Sequence, residues 1–240
     1  MEKIKHNRFS KVLVLLMAVM MVLTMMPNGM WGGAETAWAD ADIATPINSA
    51  EEFAAMQADG NYKLTTNINI TEPYANVFTG TFDGGGHTVT LDGTTNGVFV
   101  STAASATIQN LAVKGTVSGG EKIAGVVGMN AGTIKNCKNA ADITSDSRYV
   151  GGIAGKTSGS ISECYNVGMI SSTYNRSRGH IGGIVGDSSS TLANCYNVGK
   201  LGVGELGNCG AIVGWHNGET INNCYYLDSS YEKGGECIQA

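Results

Sequence analysis

Two short blocks recur together along most of this chain, and their spacing restricts the fold more than any other feature. The first reads Thr133-Ile134-Lys135-Asn136-Cys137, Ser160-Ile161-Ser162-Glu163-Cys164, Thr191-Leu192-Ala193-Asn194-Cys195 and Thr220-Ile221-Asn222-Asn223-Cys224, with a cysteine-free copy at Thr107-Ile108-Gln109-Asn110-Leu111. Successive fifth positions lie 26, 27, 31 and 29 residues apart. The second block lies upstream of the first: Gly125-Val126-Val127-Gly128, Gly152-Ile153-Ala154-Gly155, Gly183-Ile184-Val185-Gly186 and Ala211-Ile212-Val213-Gly214, with Gly97-Val98-Phe99-Val100 as a degenerate first copy. From its last glycine to the cysteine is nine residues in the three central copies and ten in the last, so the blocks keep register.

Each repeat holds three short β-branched runs divided by Gly, Asn and Ser, as in Val150 to Ala154, Ser160 to Cys164 and Val167 to Ser171. None is long enough to carry a helical apolar stripe, and the punctuation is turn chemistry. A unit this small cannot bury its own apolar face, so it must stack on its neighbours. The expected fold is all-β: a parallel β-helix with three short strands per coil of 26 to 31 residues. Coils about 4.8 Å apart turn every repeated residue into a ladder, and roughly six coils make a rod about 30 Å long.

Ladders explain the repeated residue types. Ile108, Ile134, Ile161, Leu192 and Ile221 form one apolar file, and Leu111, Cys137, Cys164, Cys195 and Cys224 form a second. Asn110, Asn136, Asn194 and Asn223, with Glu163 as the exception, stand where a corner needs a residue tolerant of left-handed φ. Glycine at 34 of 240 residues serves such corners and close backbone approach. With only three prolines, no Gly-X-Y period and 42% hydrophobic residues, collagen and disorder are excluded.

The chain begins with Lys3, Lys5, Arg8 and Lys11, an apolar stretch from Val12 to Met26, and Ala37-Trp38-Ala39. That is the layout of a secretory signal peptide cleaved after Ala39, not of a membrane span. The expected organisation is a signal peptide over 1–39, a cap helix and first coil over 40–96, repeats over 97–228 and a polar tail over 229–240. In the first of these, Ser49-Ala50-Glu51-Glu52 is a capping-box pattern, so a short helix over Phe53 to Met56, ending near Asp59-Gly60, is expected to cover the first coil's edges. Tyr62 to Ile70 follows, and Val77 to Leu91 reads as strand, glycine-rich turn, strand.

The Gly-apolar-x-Gly blocks followed by Ile-x-Asn-Cys resemble the GLUG repeats of bacterial secreted and surface proteins. Phe78-Thr79-Gly80-Thr81-Phe82-Asp83-Gly84 with Gly86-His87-Thr88-Val89 is similar to the opening coil that commonly precedes them. The resemblance covers roughly Ile47 to Leu227. It implies a right-handed parallel β-helix on or outside the cell and carries no agreed catalytic residues. Such repeats also occur in large peptidases that cleave immunoglobulin A, whose His-Glu-x-x-His zinc site has no counterpart in this sequence.

Six cysteines in a secreted chain suggest disulfides. Their positions suggest otherwise. Four follow the Leu111 file and Cys209 takes the place of Val150 and Ile181, so five read as small buried hydrophobes in a mostly reduced stack. Cys237 is the expected exposed thiol. No Cys-x-x-Cys or Cys/His spacing indicates a metal site, and no cofactor is expected.

The net charge of −5 leaves no basic excess for nucleic acid. Asp142, Asp146, Glu163 and Asp187 do not recur at one repeat position, so no paired carboxylates of the glycosidase kind are evident. Ser172 to Gly179 lies in the longest repeat and reads as a protruding loop. Arg176, Arg178 and His180 there are candidate ligand-binding residues, with a solvated insertion as the plain alternative. Tyr165, Tyr196 and Tyr225 each follow a ladder cysteine and should point outward as a file with Lys138 at its start. They are candidates for binding glycans or host cell-surface proteins, or else rings that only stiffen their face. The expected function is a non-enzymatic surface or adhesion module, part of a larger multidomain protein and with no transmembrane segment in the mature chain. A polysaccharide lyase or glycoside hydrolase is the alternative.

Overall fold

The computed structural model describes residues 44–174, 179–203, 208–217 and 220–227. The signal-peptide segment, the 229–240 tail, Arg176, Arg178 and Cys237 lie outside them. Within the described residues no helix is long and apolar enough to cross a membrane.

The strands pair in parallel, one coil to the next, as in a β-helix. One sheet stacks Thr107–Gln109, Thr133–Lys135, Ile161–Ser162, Leu192–Ala193 and Ile221–Asn222, which places the Ile108, Ile134, Ile161, Leu192 and Ile221 file in register. A second stacks Ala112–Gly119, Lys138–Ser145, Tyr165–Asn166, Tyr196–Asn197 and Tyr225–Tyr226. A third runs through Phe99–Thr102, Val127–Asn130, Ala154–Thr157, Val185–Ser188 and Val213–His216. The fourth holds Ile123–Ala124, Val150–Gly151, His180–Gly182 and Asn208–Gly210.

The fourth sheet is a departure from three strands per coil. The run Val150 to Ala154 divides into Val150–Gly151 and Ala154–Thr157, with a bend at Gly152 and Ile153. Gly152 is required there. A Cβ would run into the Gly183 carbonyl oxygen of the next coil and sit 2.6 Å from Asn166 Cγ. The run Val167 to Ser171 likewise yields only Ile170–Ser172, and the segment Tyr62 to Ile70 forms the strands Asn61–Leu64 and Ile68–Ile70.

The corner after the Ile file behaves as its residues suggest. Asn110, Asn136, Glu163, Asn194 and Asn223 have φ of 53°, 51°, 56°, 56° and 50°. Asn136 Nδ2 donates to Asn110 Oδ1 at 2.8 Å, so the side chains extend the ladder outside the backbone. The chain then turns Leu111, Cys137, Cys164 and Cys195 inward, all at most 1% exposed, while Cys224 in the last described coil is partly buried.

These four cysteines are free. Burial and a hydrogen bond to Cys137 push the Cys164 thiol well up, and a hydrogen bond to Cys164 pushes Cys195 up to about 12, so both stay protonated at neutral pH. Cys209 is a correction. It pairs in register with Ile181 and is fully buried, but it is disulfide-bonded, with its partner outside the described residues.

A second set of buried ladders is polar. Asn139 Nδ2 donates to Asn166 Oδ1 at 2.7 Å, and Asn166 Nδ2 to Asn197 Oδ1 at 2.9 Å. Each amide also closes a turn on itself: Asn166 Oδ1 accepts from Gly168 N at 3.2 Å while its Nδ2 donates to Gly168 O at 3.0 Å. All three are 0% exposed, so the amide's donors and acceptor must be satisfied internally. Thr102, Asn130 and Thr157 repeat the device at another corner, with Thr102 Oγ1 donating to Asn130 Oδ1 at 2.8 Å and Asn130 Nδ2 to Thr157 Oγ1 at 3.0 Å.

The first coils are filled by rings. Phe53, on the helix Ala50–Ala54, packs edge-on against Tyr74, Phe82 and Phe99 at 5.9 to 6.3 Å between centroids. Ser49 caps that helix, its Oγ accepting from Glu52 N, while Glu52 reaches back to Asn48 N at 2.6 Å rather than to Ser49. The helix is shorter than expected, because a 3.3 Å bond from Met56 N to Phe53 O tightens its end before Asp59-Gly60. The glycine-rich turn holds as a turn: Gly85 and Gly86 take φ of 58° and 77°, and Asp83 Oδ1 accepts from Gly85 N at 2.8 Å.

Candidate functional site

Because Cys164 and Asn166 point inward, the intervening Tyr165 must point outward, and Tyr165 pairs with Tyr196 and Tyr196 with Tyr225 one coil on. The tyrosine file therefore exists as a ladder. Its rings are not open plates. Tyr165 and Tyr196 stack with centroids 4.7 Å apart and planes 5° from parallel, and Lys138 Nζ stands 5.4 Å over the Tyr165 ring.

Both faces of Tyr165 are thus occupied, one by a neighbouring ring and one by an ammonium. What it presents outward is its edge and phenolic oxygen, suited to lateral contact rather than to a sugar lying flat. Partial desolvation, then the neighbouring Tyr165, raise the Tyr196 hydroxyl's pKa. Alongside run exposed apolar residues: Val167 and Val198 lie one position beyond the paired Asn166 and Asn197, and Met169 follows. With Tyr196 at 42% and Tyr225 at 68% exposure, they make an apolar strip on a flat sheet face.

His180 lies elsewhere, in the fourth sheet, and is not brought together with the tyrosine file. Arg176 and Arg178, placed with it by sequence, lie outside the described residues. The structure surrounds His180 with residues that sequence reading did not join to it. Its Nδ1 lies 2.7 Å from Asp187 Oδ2, and Lys156 Nζ lies 3.4 Å from Asp187 Oδ1. The Trp215 ring stacks on the imidazole at 5.5 Å and 18°, and the Tyr149 ring meets it edge-on at 5.2 Å. Tyr149 holds φ of 65°, an uncommon conformation for an aromatic residue.

Register explains the gathering. Tyr149 immediately precedes Val150, which pairs with Ile181 in the fourth sheet, so Tyr149 and His180 sit one coil apart. In the third sheet Lys156 pairs with Asp187 and Asp187 with Trp215. The two files meet at the corner between these sheets. Signals for this corner were present in the constant offset from each Gly-apolar-x-Gly block, but the residues at each position differ in type and make no motif.

The sequence matches no family model and no curated protein, so the likeness to GLUG repeats rests on the residues quoted above. Among solved structures, the chain is similar to the crystal structure of the "putative immunoglobulin A1 protease" from Bacteroides ovatus, with a TM-score of 0.52 and 19% identity, over 81% of this chain and 68% of that one. At that identity the likeness is one of fold, and it agrees with the pairing described above in making this chain a parallel β-solenoid.

Proposed function

We propose that this chain is a secreted or cell-surface β-helical module of the GLUG-repeat kind that works by adhesion, binding another protein's surface along its tyrosine strip and catalysing nothing. The observation that carries this reading is the in-register strip of the half-buried Tyr165 with the exposed Tyr196 and Tyr225, and Val167, Val198 and Met169 beside it. A contiguous apolar strip on a rigid face is costly to leave in water and is a common mark of an interaction surface. Tyrosine is also favoured at such surfaces because it buries much area while losing little rotamer freedom. The covered faces of Tyr165 turn the preference from glycans to a protein partner.

A second reading, as an enzyme, is favoured by one observation, the His180 and Asp187 pair, and by the name of the similar Bacteroides protein. It asks more of the corner than the pair supplies. A glycosidase needs a second carboxylate facing the first, and Asp187 already has both oxygens engaged by Lys156 and His180.

The test is an array of host extracellular proteins and glycans probed with the wild-type chain and with the Tyr165→Ala/Tyr196→Ala variant, alongside incubation with immunoglobulin A1 and with bacterial and plant polysaccharides. The expected result is protein binding by wild type that falls about tenfold or more in the variant, as for loss of an interface hot spot, with an unchanged circular dichroism spectrum and no cleavage products. Equal binding by both chains removes the tyrosine strip as the binding face, and cleavage by wild type that His180→Ala abolishes replaces adhesion by catalysis.

A further inference from the structure

From the corner between the third and fourth sheets we infer a second binding site, separate from the tyrosine strip, for a neutral pyranose sugar. Three properties of the corner point to this chemistry.

The first is a locked imidazole. A carboxylate can only accept, so the 2.7 Å contact puts a hydrogen on His180 Nδ1 and leaves Nε2 as the ring nitrogen that can meet a ligand. Trp215 on one side and Tyr149 on the other hold the ring's orientation. Nε2 has no hydrogen-bond partner among the described residues, and the His180 side chain keeps 13% of its surface exposed, so this nitrogen is held at the corner with a fixed direction. A polar nitrogen already fixed in direction loses little freedom on binding and suits recognition of a hydroxyl, which can both donate and accept.

The second is an aromatic platform. Trp215 is 42% exposed although His180 covers one face of its indole. Its strand is the last of the third sheet, and among the described residues no further strand stacks beyond it. The open side of an indole beside polar hydrogen-bonding groups accommodates a ring with apolar C–H faces and a hydroxylated rim.

The third is charge balance. Lys156 is paired with Asp187 at 3.4 Å, and Arg148, whose guanidinium lies 5.5 Å over the Tyr149 ring, is paired with Glu121 at 2.9 Å. Among the described residues these charges are paired, and the corner offers donors and acceptors of both signs, which suits a polyhydroxylated neutral ligand.

The site has a built-in probe. The chain's three tryptophans are Trp31, Trp38 and Trp215, so in the full chain carrying Trp31→Phe and Trp38→Phe the indole signal comes from Trp215 alone. That chain is titrated with hexasaccharides of glucan, mannan and galactan, and separately with oligogalacturonate. At least one neutral oligosaccharide is expected to change Trp215 emission saturably, with a Kd about millimolar or tighter. Asp187→Asn, which frees the imidazole's orientation while keeping the side chain's size, should weaken binding about tenfold, equivalent to about 1.4 kcal/mol. Tyr165→Ala/Tyr196→Ala should leave it unchanged, which separates this site from the adhesion strip. A neutral-sugar response that Asp187→Asn does not alter, a response to oligogalacturonate only, or no response to any of them overturns the assignment.

Discussion

Replacing Asn166 by Asp is expected to be among the most damaging single substitutions in the chain. The Asn166 amide donates to Gly168 O and Asn197 Oδ1 and accepts from Gly168 N and Asn139 Nδ2, all at 0% exposure. A carboxylate keeps the two acceptances, loses both donations and sets oxygen against oxygen toward the neighbouring coil. Each buried polar group left unsatisfied costs about 1 to 3 kcal/mol, and an unpaired buried charge costs more.

Asn166→Ala is expected to lose about 3 to 5 kcal/mol on the same reasoning, a large share of the roughly 5 to 15 kcal/mol that keeps a domain folded. Burial must raise the new carboxyl's folded pKa above its unfolded value of about 3.9, so the penalty on Asn166→Asp is relieved below that pH and grows as pH rises through the folded value. Urea midpoints at pH 3.5 and 7 check this. The gap between Asn166→Asp and wild type should be wide at neutral pH and narrower in acid, and a small, pH-independent gap means that position 166 meets water.

The other large effect is expected at the capped end. Phe99 touches four rings, with centroids 5.9 Å from Phe53, 5.9 Å from Tyr74, 5.1 Å from Phe78 and 5.2 Å from Phe82. Phe99→Ala empties the middle of that cluster and should cost about 3 to 5 kcal/mol, the usual range for a fully buried phenylalanine. In a chain of this size each kcal/mol lowers Tm by about 2 to 4 °C, so a fall of about 6 to 20 °C is expected by calorimetry. Because Phe53 on the cap helix rests on the same cluster, exchange of the Phe53 and Ala54 amides should accelerate in the variant more than exchange in the Ile161 and Leu192 strands.

The parts legible in the sequence are those where one residue type recurs. The Ile and Cys files align at the offsets between their blocks, and the Asn corners adopt left-handed φ, Glu163 included, because the backbone there is set by the turn and only tolerated by the side chain. Less was legible where ladder partners differ. The interior amide file of Asn139, Asn166 and Asn197 was implied by alternation, since a residue between an outward Tyr165 and an outward Val167 must point inward, but polar residues inside a strand run against the expectation of an apolar core. The corner of Tyr149, His180, Lys156, Asp187 and Trp215 combines five residue types from three coils, and only the register of two sheets brings them together. Cys209 was misread because its in-register neighbours are Val150 and Ile181, and position alone does not distinguish a buried thiol from a buried disulfide.

The proposed adhesion face depends on tyrosines 165 and 196 standing side by side, outward, one coil apart. Pyrene excimer fluorescence measures that directly. In a chain carrying Cys224→Ser, so that the partly exposed thiol is removed, Tyr165→Cys and Tyr196→Cys are introduced together and labelled with pyrene maleimide under native conditions. Stacked coils in the register described predict ready labelling at both positions and strong excimer emission, with monomer emission alone from either single substitution. Monomer emission from the doubly labelled chain, or two sites that label only after unfolding, would contradict the ladder and with it the adhesion face.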